Sequence, residues 1–201
     1  MNKVGKYSLI ILVIVLVLIT TACNQKSDVE DIKENEEETV KIVFSEKVLG
    51  IAKMSPDEWV TDLINTSDGN YVDVYVNDDE ASVTLEIKEE QRDFWIQSRE
   101  NLMTKLKTKF SQLNPKYKIE YSDDYSHIDM YYDLNLDAYD AIYYVLYTEV
   151  ICISEQLFNG VGSEGWFVSF NIYNSNTGKL VASGDSNTGL SYREEDWEAS
   201  M

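Results

Sequence analysis

Apolar and polar residues alternate with period two in three stretches of the chain, and a polar turn divides each stretch. Val72, Val74 and Val76 precede Asn77-Asp78-Asp79-Glu80, and Val83, Leu85 and Ile87 follow it. Ile119 and Tyr121 are separated from Ile128, Met130 and Tyr132 by Ser122-Asp123-Asp124-Tyr125. Val168, Phe170 and Ile172 are separated from Leu180 and Ala182 by Asn174-Ser175-Asn176-Thr177-Gly178. Such alternation puts every second side chain on one buried face of a strand, and the turn chemistry makes each pair a hairpin.

Between the hairpins the period changes. Within 91–113, Trp95, Leu102, Leu106, Phe110 and Leu113 form a stripe at helical spacing, closed by Asn114-Pro115. Within 135–158, Leu136, Tyr139, Tyr143, Leu146, Val150, Ile153 and Leu157 do the same, closed by Asn159-Gly160. That second helix carries a further stripe of Tyr144, Ile151 and Phe158, so it is apolar nearly all round. Such a helix is either buried on two sides or is an interface, here a homodimer contact through 135–158. Ser55-Pro56 starts a short helix with Trp59, Val60 and Leu63. Another short helix runs from Ser191 to Ala199, with Ser191 and Glu194 at capping-box spacing. Together these elements predict an α+β fold: an antiparallel sheet of about six strands built from ββα units, with helices packed mainly on one face.

The first 39 residues follow a different pattern. Lys3 and Lys6 precede an unbroken apolar run from Leu9 to Ile19, then Thr20-Thr21-Ala22 and Cys23. The run is shorter than the ~20 residues of a spanning helix, and its order of charged, apolar and small residues is that of a signal peptide. The segment ITTAC resembles the lipobox of bacterial lipoproteins, with Ala22 and Cys23 at its most specific positions and Thr20 where Leu is usual. That resemblance implies cleavage before Cys23, a diacylglyceryl thioether on its sulfur, and a lipid anchor on the extracytoplasmic face of the cell membrane. Two acyl chains anchor stably where one is marginal. Asn24 does not resemble the Asp that retains enteric lipoproteins on the inner membrane. The expected organisation is a signal peptide at 1–22, a lipidated cysteine and disordered acidic tether at 23–39, and one domain at 40–201. Residues 24–39 carry Val29 and Ile32 as their only large apolar side chains, too few to fold.

Charge narrows the partners. The chain has 17 Lys and Arg against 36 Asp and Glu, net −19, and loss of residues 1–22 removes two lysines and no acid. Nucleic acid is excluded as a partner, since its binding relies on cationic side chains. Only 92–118 runs the other way, with Lys105, Lys107 and Lys109 flanking the apolar stripe. With Cys23 assigned to lipid, Cys152 has no disulfide partner, and its apolar setting, ICISEQLF, makes it a small buried hydrophobe.

Catalytic motifs are sparse. Gly160, Gly162 and Gly165 spell G-x-G-x-x-G, but a helix precedes and a strand follows, the reverse of a dinucleotide site. His127 is the single histidine, without HExxH or G-x-S-x-G, and reads as an imidazole on an exposed strand face. Strand residues opposite the core form a candidate binding face of aromatics among acids: Tyr71, Asp73, Tyr75, Asp129, Tyr131, Asp133, Phe167 and Tyr173. Asp pairs in the first two hairpin turns, Asp78-Asp79 and Asp123-Asp124, supply hard oxygens for a weak Ca²⁺ site if the turns lie at one end of a common sheet. The leading expectation is a non-catalytic, membrane-anchored module for a protein, peptide or glycan. The rival classes are a cell-wall hydrolase using paired carboxylates, and an inhibitor or immunity protein for a basic partner.

Overall fold

A computed structural model of the chain describes residues 38–78 and 81–201. In order, the elements are β1 (Thr39–Phe44), α1 (Glu46–Ala52), α2 (Pro56–Thr66), β2 (Asp73–Val76), β3 (Val83–Lys88) and α3 (Glu89–Leu113). There follow β4 (Lys118–Tyr121), β5 (His127–Tyr132), α4 (Ala138–Phe158), β6 (Ser169–Asn174), β7 (Leu180–Asp185) and α5 (Glu194–Ala199). The class is α+β, but the strands form two sheets rather than one sheet of six: β1-β3-β2 and β4-β5-β6-β7.

Two pairings account for the difference. The segment TVKIVF forms β1, which pairs antiparallel with β3 from Thr39↔Lys88 to Phe44↔Val83. That makes β3 the middle of a three-stranded sheet, with the predicted hairpin partner β2 on its other edge. After α3 the chain builds its second sheet, where the predicted hairpins β4–β5 and β6–β7 are antiparallel but β5 and β6 run parallel, from His127↔Ser169 to Tyr132↔Asn174. Parallel neighbours need a long crossover, and α4 with its flanking loops supplies it. The ββα units therefore do not repeat as one antiparallel sheet.

The described residues belong to one compact unit, and among them the hydrophobic core runs from Ile42 to Trp197. The long helices α3 and α4 pack on each other. Trp95 of α3 stacks on Phe158 of α4 with ring centroids 5.6 Å apart, and Phe110 meets Tyr144 at 4.5 Å. The buried stripe of α3 is Trp95, Arg99, Met103, Leu106 and Phe110, whereas Leu113 is exposed at the helix end. Helix α2 is capped as the sequence predicts: Glu58 N–H donates to Ser55 Oγ at 3.3 Å, and Ser55 N–H donates to the Glu58 carboxylate at 2.8 Å. Helix α5 starts later than predicted, because Arg193 N–H donates to Asp196 at 2.7 Å and takes the role foreseen for Ser191 and Glu194. The glycine cluster is the helix-to-strand loop expected of it, with Gly160 at φ 89° just past α4.

Helix α4 divides in two. Every residue from Ile151 to Phe158 is buried, Cys152 included, and burial pushes that free thiol's pKa up. Toward the N-terminus, Tyr139, Ile142, Tyr143 and Tyr147 are exposed. Tyr144, Ile151 and Phe158, the second stripe, are all buried. The reading of burial on two sides holds for the C-terminal half, while the N-terminal half leaves those four side chains exposed. Among the described residues no helix is long and apolar enough to cross a membrane.

Candidate functional site

Strand β5 sets the site. Ile128, Met130 and Tyr132 point into the core, so period two sends His127, Asp129 and Tyr131 to the other face. Register then aligns three rows across the sheet. Lys118, Tyr131 and Tyr173 form one, Glu120, Asp129, Asn171 and Ser183 the next, and His127, Ser169 and Asp185 the third. Most of these side chains are half-buried or exposed, as expected for the uncovered face of a sheet packed on one side.

The rows are tied by direct contacts. Tyr131 and Tyr173 stack with centroids 4.8 Å apart and planes 15° apart. Lys118 Nζ lies 3.9 Å from the centre of the Tyr131 ring, from the β4 side. Asn171 Nδ2 donates to Asp129 Oδ1 at 3.0 Å and to the Tyr173 hydroxyl at 3.3 Å, while Ser183 Oγ donates to Asn171 Oδ1 at 2.9 Å. His127 Nε2 lies 2.9 Å from Asp129 Oδ1, and its Nδ1 lies 2.7 Å from Ser169 Oγ.

Ser169, His127 and Asp129 thus form a serine–imidazole–carboxylate line, which the sequence did not reveal because Ser169 lies 42 residues from His127. Its geometry satisfies one requirement of acyl transfer, and the N–H of Ser169 itself is not free to meet another. A nucleophilic serine needs preorganised N–H donors beside it for the oxyanion. Here the N–H of Ser169 already donates to the Ser126 carbonyl at 2.9 Å, and the Ser169 hydroxyl lies 3.2 Å from that same oxygen. The line serves as a cross-strand tie.

The eight residues predicted for one face are not brought together. Asp129, Tyr131 and Tyr173 are, on the four-stranded sheet. Tyr71, Asp73 and Tyr75 belong to the three-stranded sheet or the segment before it. Phe167 is exposed in the loop before β6. Asp133 is buried and structural: its carboxylate accepts from Tyr117 Oη at 2.8 Å, Asn135 N–H at 2.9 Å and Asn176 Nδ2 at 3.0 Å. Burial acts to raise the Asp133 pKa, but these bonds outweigh it and hold the carboxyl below its usual range. Burial, with the bond to Asp133, pushes Tyr117 up to about 12.

The Asp pairs also separate. Asp78 lies in the β2–β3 turn and Asp123 and Asp124 in the β4–β5 turn, on different sheets, while Asp79 and Cys23 fall outside the described residues. Asp124 accepts from Ser122 Oγ at 2.6 Å and from Ser126 Oγ at 2.7 Å, bonds that lower its pKa to about 2. Among the described residues no group of three or more His, Cys, Asp or Glu could hold a metal ion.

A second concavity, of about 440 Å³, lies between α1, α4 and the segment after β7. Glu149 lines it, and burial lifts that carboxyl's pKa to about 7, opposed in part by Lys47. Asp185 lies on the same wall but accepts from the N–H groups of Asn187 and Thr188, both at 2.8 Å, which lower its pKa. In comparisons with known proteins, no family model, curated protein or solved structure matches this chain.

Proposed function

We propose that the chain is a lipid-anchored, extracytoplasmic interaction module that holds a protein partner on the open face of the β4–β7 sheet. The observation that carries this reading is how the two tyrosines are presented. Both ring faces of Tyr131 are occupied, by Lys118 on one side and Tyr173 on the other. A sugar ring therefore has no free face of Tyr131 to stack on. What remains accessible of Tyr131 is its edge and hydroxyl, beside a bonded grid of Glu120, Asp129, Asn171 and Ser183. Rigid amphipathic Tyr among polar groups, at low entropic cost, is the composition of a protein-recognition surface. The signal-peptide pattern and Cys23 support the location.

The test pairs two measurements on the full chain. Crosslinking in native membranes followed by pull-down should lose its specific partner in Tyr131→Ala with Tyr173→Ala. Melting of that variant should fall only by the loss of one aromatic pair, about 0.5–1.5 kcal/mol. An unchanged set of crosslinked partners overturns the assignment of this face. Separately, Cys23→Ala should abolish labelling by a palmitate analogue and leave the precursor uncut, and normal labelling would remove the lipid anchor.

A second reading, a hydrolase acting through a carboxyl group, is favoured by one observation. Glu149 holds a proton near neutrality inside a cleft, as a general acid requires. Its weakness is the partner, since Asp185 spends a carboxylate oxygen on two backbone N–H groups. Release of reducing ends or amines from cell-wall polymer, lost in Glu149→Gln, would establish this reading in place of the first.

A further inference from the structure

The buried face of α3 contains a cation where an apolar residue is expected. Arg99 falls on the stripe of Trp95, Met103, Leu106 and Phe110 and is only 8% exposed. Its guanidinium lies over the Trp95 ring, 5.5 Å from the centre. Among the described residues no carboxylate lies within 4 Å of it, and its Nε is buried with no hydrogen-bond partner. A buried unpaired charge is costly unless something compensates it.

Arg99 lines a cavity of about 180 Å³ enclosed by α2, α3, α4 and the end of α1. The walls are mostly apolar, with Met54, Leu102, Val150 and Ile151 among them. Trp59 lines it too, and its indole N–H is likewise buried without a partner. Arg and Trp side chains only donate hydrogen bonds, so the two orphaned groups both call for an acceptor. The hydroxyl protons of Thr66 and Ser154, on the same wall, are already given to the Asp62 and Val150 carbonyls at 2.8 Å. The lining therefore combines an apolar body with one cation, Arg99, and the exposed carboxylate of Asp62.

We propose that this cavity binds a small apolar carboxylate, with the Arg99 guanidinium donating to its oxygens and Met54, Leu102, Val150 and Ile151 enclosing its hydrocarbon part. An apolar cavity on the order of 150 Å³ accommodates a benzene ring, so the body is an aryl group or a short branched alkyl chain. A planar guanidinium fits a carboxylate with two parallel N–H donors, which a single neutral carbonyl oxygen cannot engage in the same way. Two sources share this chemistry: a free short acid, and the C-terminal residue of a peptide ending in an apolar side chain. Asp62 lines the cavity and is exposed. Its charge, with that of Glu155, helps keep Arg99 protonated against the effect of burial, and it works against an entering anion.

The experiment uses residues 37–201, the compact unit that contains the hydrophobic core of the described residues. The ¹⁵N-labelled protein is titrated with benzoate and 4-methylpentanoate, and in parallel with benzamide and 4-methylpentanamide, at constant ionic strength. A second arm compares acetyl-Gly-Gly-Leu as free acid and as C-terminal amide. The Trp59 indole N–H resonance should move with an acid and bind it at least about tenfold more tightly than the matching amide. Asp62→Asn should tighten acid binding, and Arg99→Met should bring the acid down to the level of its amide. Response to the small acids alone assigns a free acid, and response to the peptide acid alone assigns a C-terminus. Failure of both acids to shift Trp59 at millimolar concentration, or equal binding of acid and amide by the unsubstituted protein, overturns the proposal whether or not Arg99→Met folds.

Discussion

Strands β3 and β5 hold equivalent places, each with a neighbour on both edges, yet their outward residues meet different fates. On β3 the outward Thr84 lies between Val43 and Tyr75 and is 3% exposed, while Val83, Leu85 and Ile87 are fully buried behind it. On β5 the outward His127, Asp129 and Tyr131 stay partly open and are tied sideways to β4 and β6. In the first sheet the outward face closes over Thr84, while Glu86 on the same face stays half-buried and is held by Thr39 and Lys41 of β1. In the second it stays open because the grid of polar bonds satisfies its members in place. An interior strand position therefore does not decide exposure, whereas the size and chemistry of the two flanking residues do.

The inward faces should not distinguish the sheets. Leu85→Ala and Met130→Ala each remove a side chain that is fully buried, and each should cost about 2–5 kcal/mol in denaturant unfolding. Two separate unfolding transitions, each moved by only one of the substitutions, would show that the two sheets do not share one cooperative core. The next effect is acidity-dependent and comes from α4, which packs on α3 between them in sequence. Glu149 and Glu155 are both buried, and burial lifts each to about 7 from an ordinary value of 4.5. For Glu155 the Glu100 charge adds to the rise and Arg99 opposes it. A raised carboxyl binds its proton more tightly folded than unfolded. Below about 4.5 both states are protonated and nothing is lost. Between about 4.5 and 7 the unfolded chain ionises first and stability falls, and above 7 the loss is complete. Melting at pH 5 should exceed melting at pH 8 by the equivalent of a few kcal/mol, and Glu149→Gln with Glu155→Gln should flatten that window. A profile that keeps its slope in the double variant would assign it elsewhere.

How much of this was legible in the sequence follows from range. The hairpins β2–β3, β4–β5 and β6–β7 are local, and period two with turn chemistry located them. The Ser55 cap and the boundaries of α3 and α4 are local too. Pairing of β1 with β3 and of β5 with β6 joins distant segments, and alternation states which face is apolar but not which strand lies alongside. The assumption of one sheet placed Tyr71, Asp73 and Tyr75 beside Asp129, Tyr131 and Tyr173, and that assumption fails at the break between the sheets. Arg99 was hidden by its residue type. Helical spacing from Trp95 to Met103 points to position 99, but a cation there reads as solvent-facing until the contacts show otherwise.

The smallest expected effect is also the sharpest comparison of the outward faces, because the two sheets offer matched hydroxyls. Thr84 Oγ1 donates to Asn77 Oδ1 at 2.8 Å, and Ser183 Oγ donates to Asn171 Oδ1 at 2.9 Å. The bonds have the same chemistry and nearly the same length, and they differ in exposure, since Thr84 is buried and Ser183 is exposed. Thr84→Val keeps the shape and removes the donor. Asn77 then loses that bond in a place water reaches poorly, so about 1–3 kcal/mol should be lost. Ser183→Ala removes the same kind of donor at the open face, where water replaces it, and the change should stay within about 0.5 kcal/mol. Paired unfolding curves measure the difference. Equal losses would mean that water does not reach the second face, and the surface assigned to partner binding would have to be covered by another part of the chain.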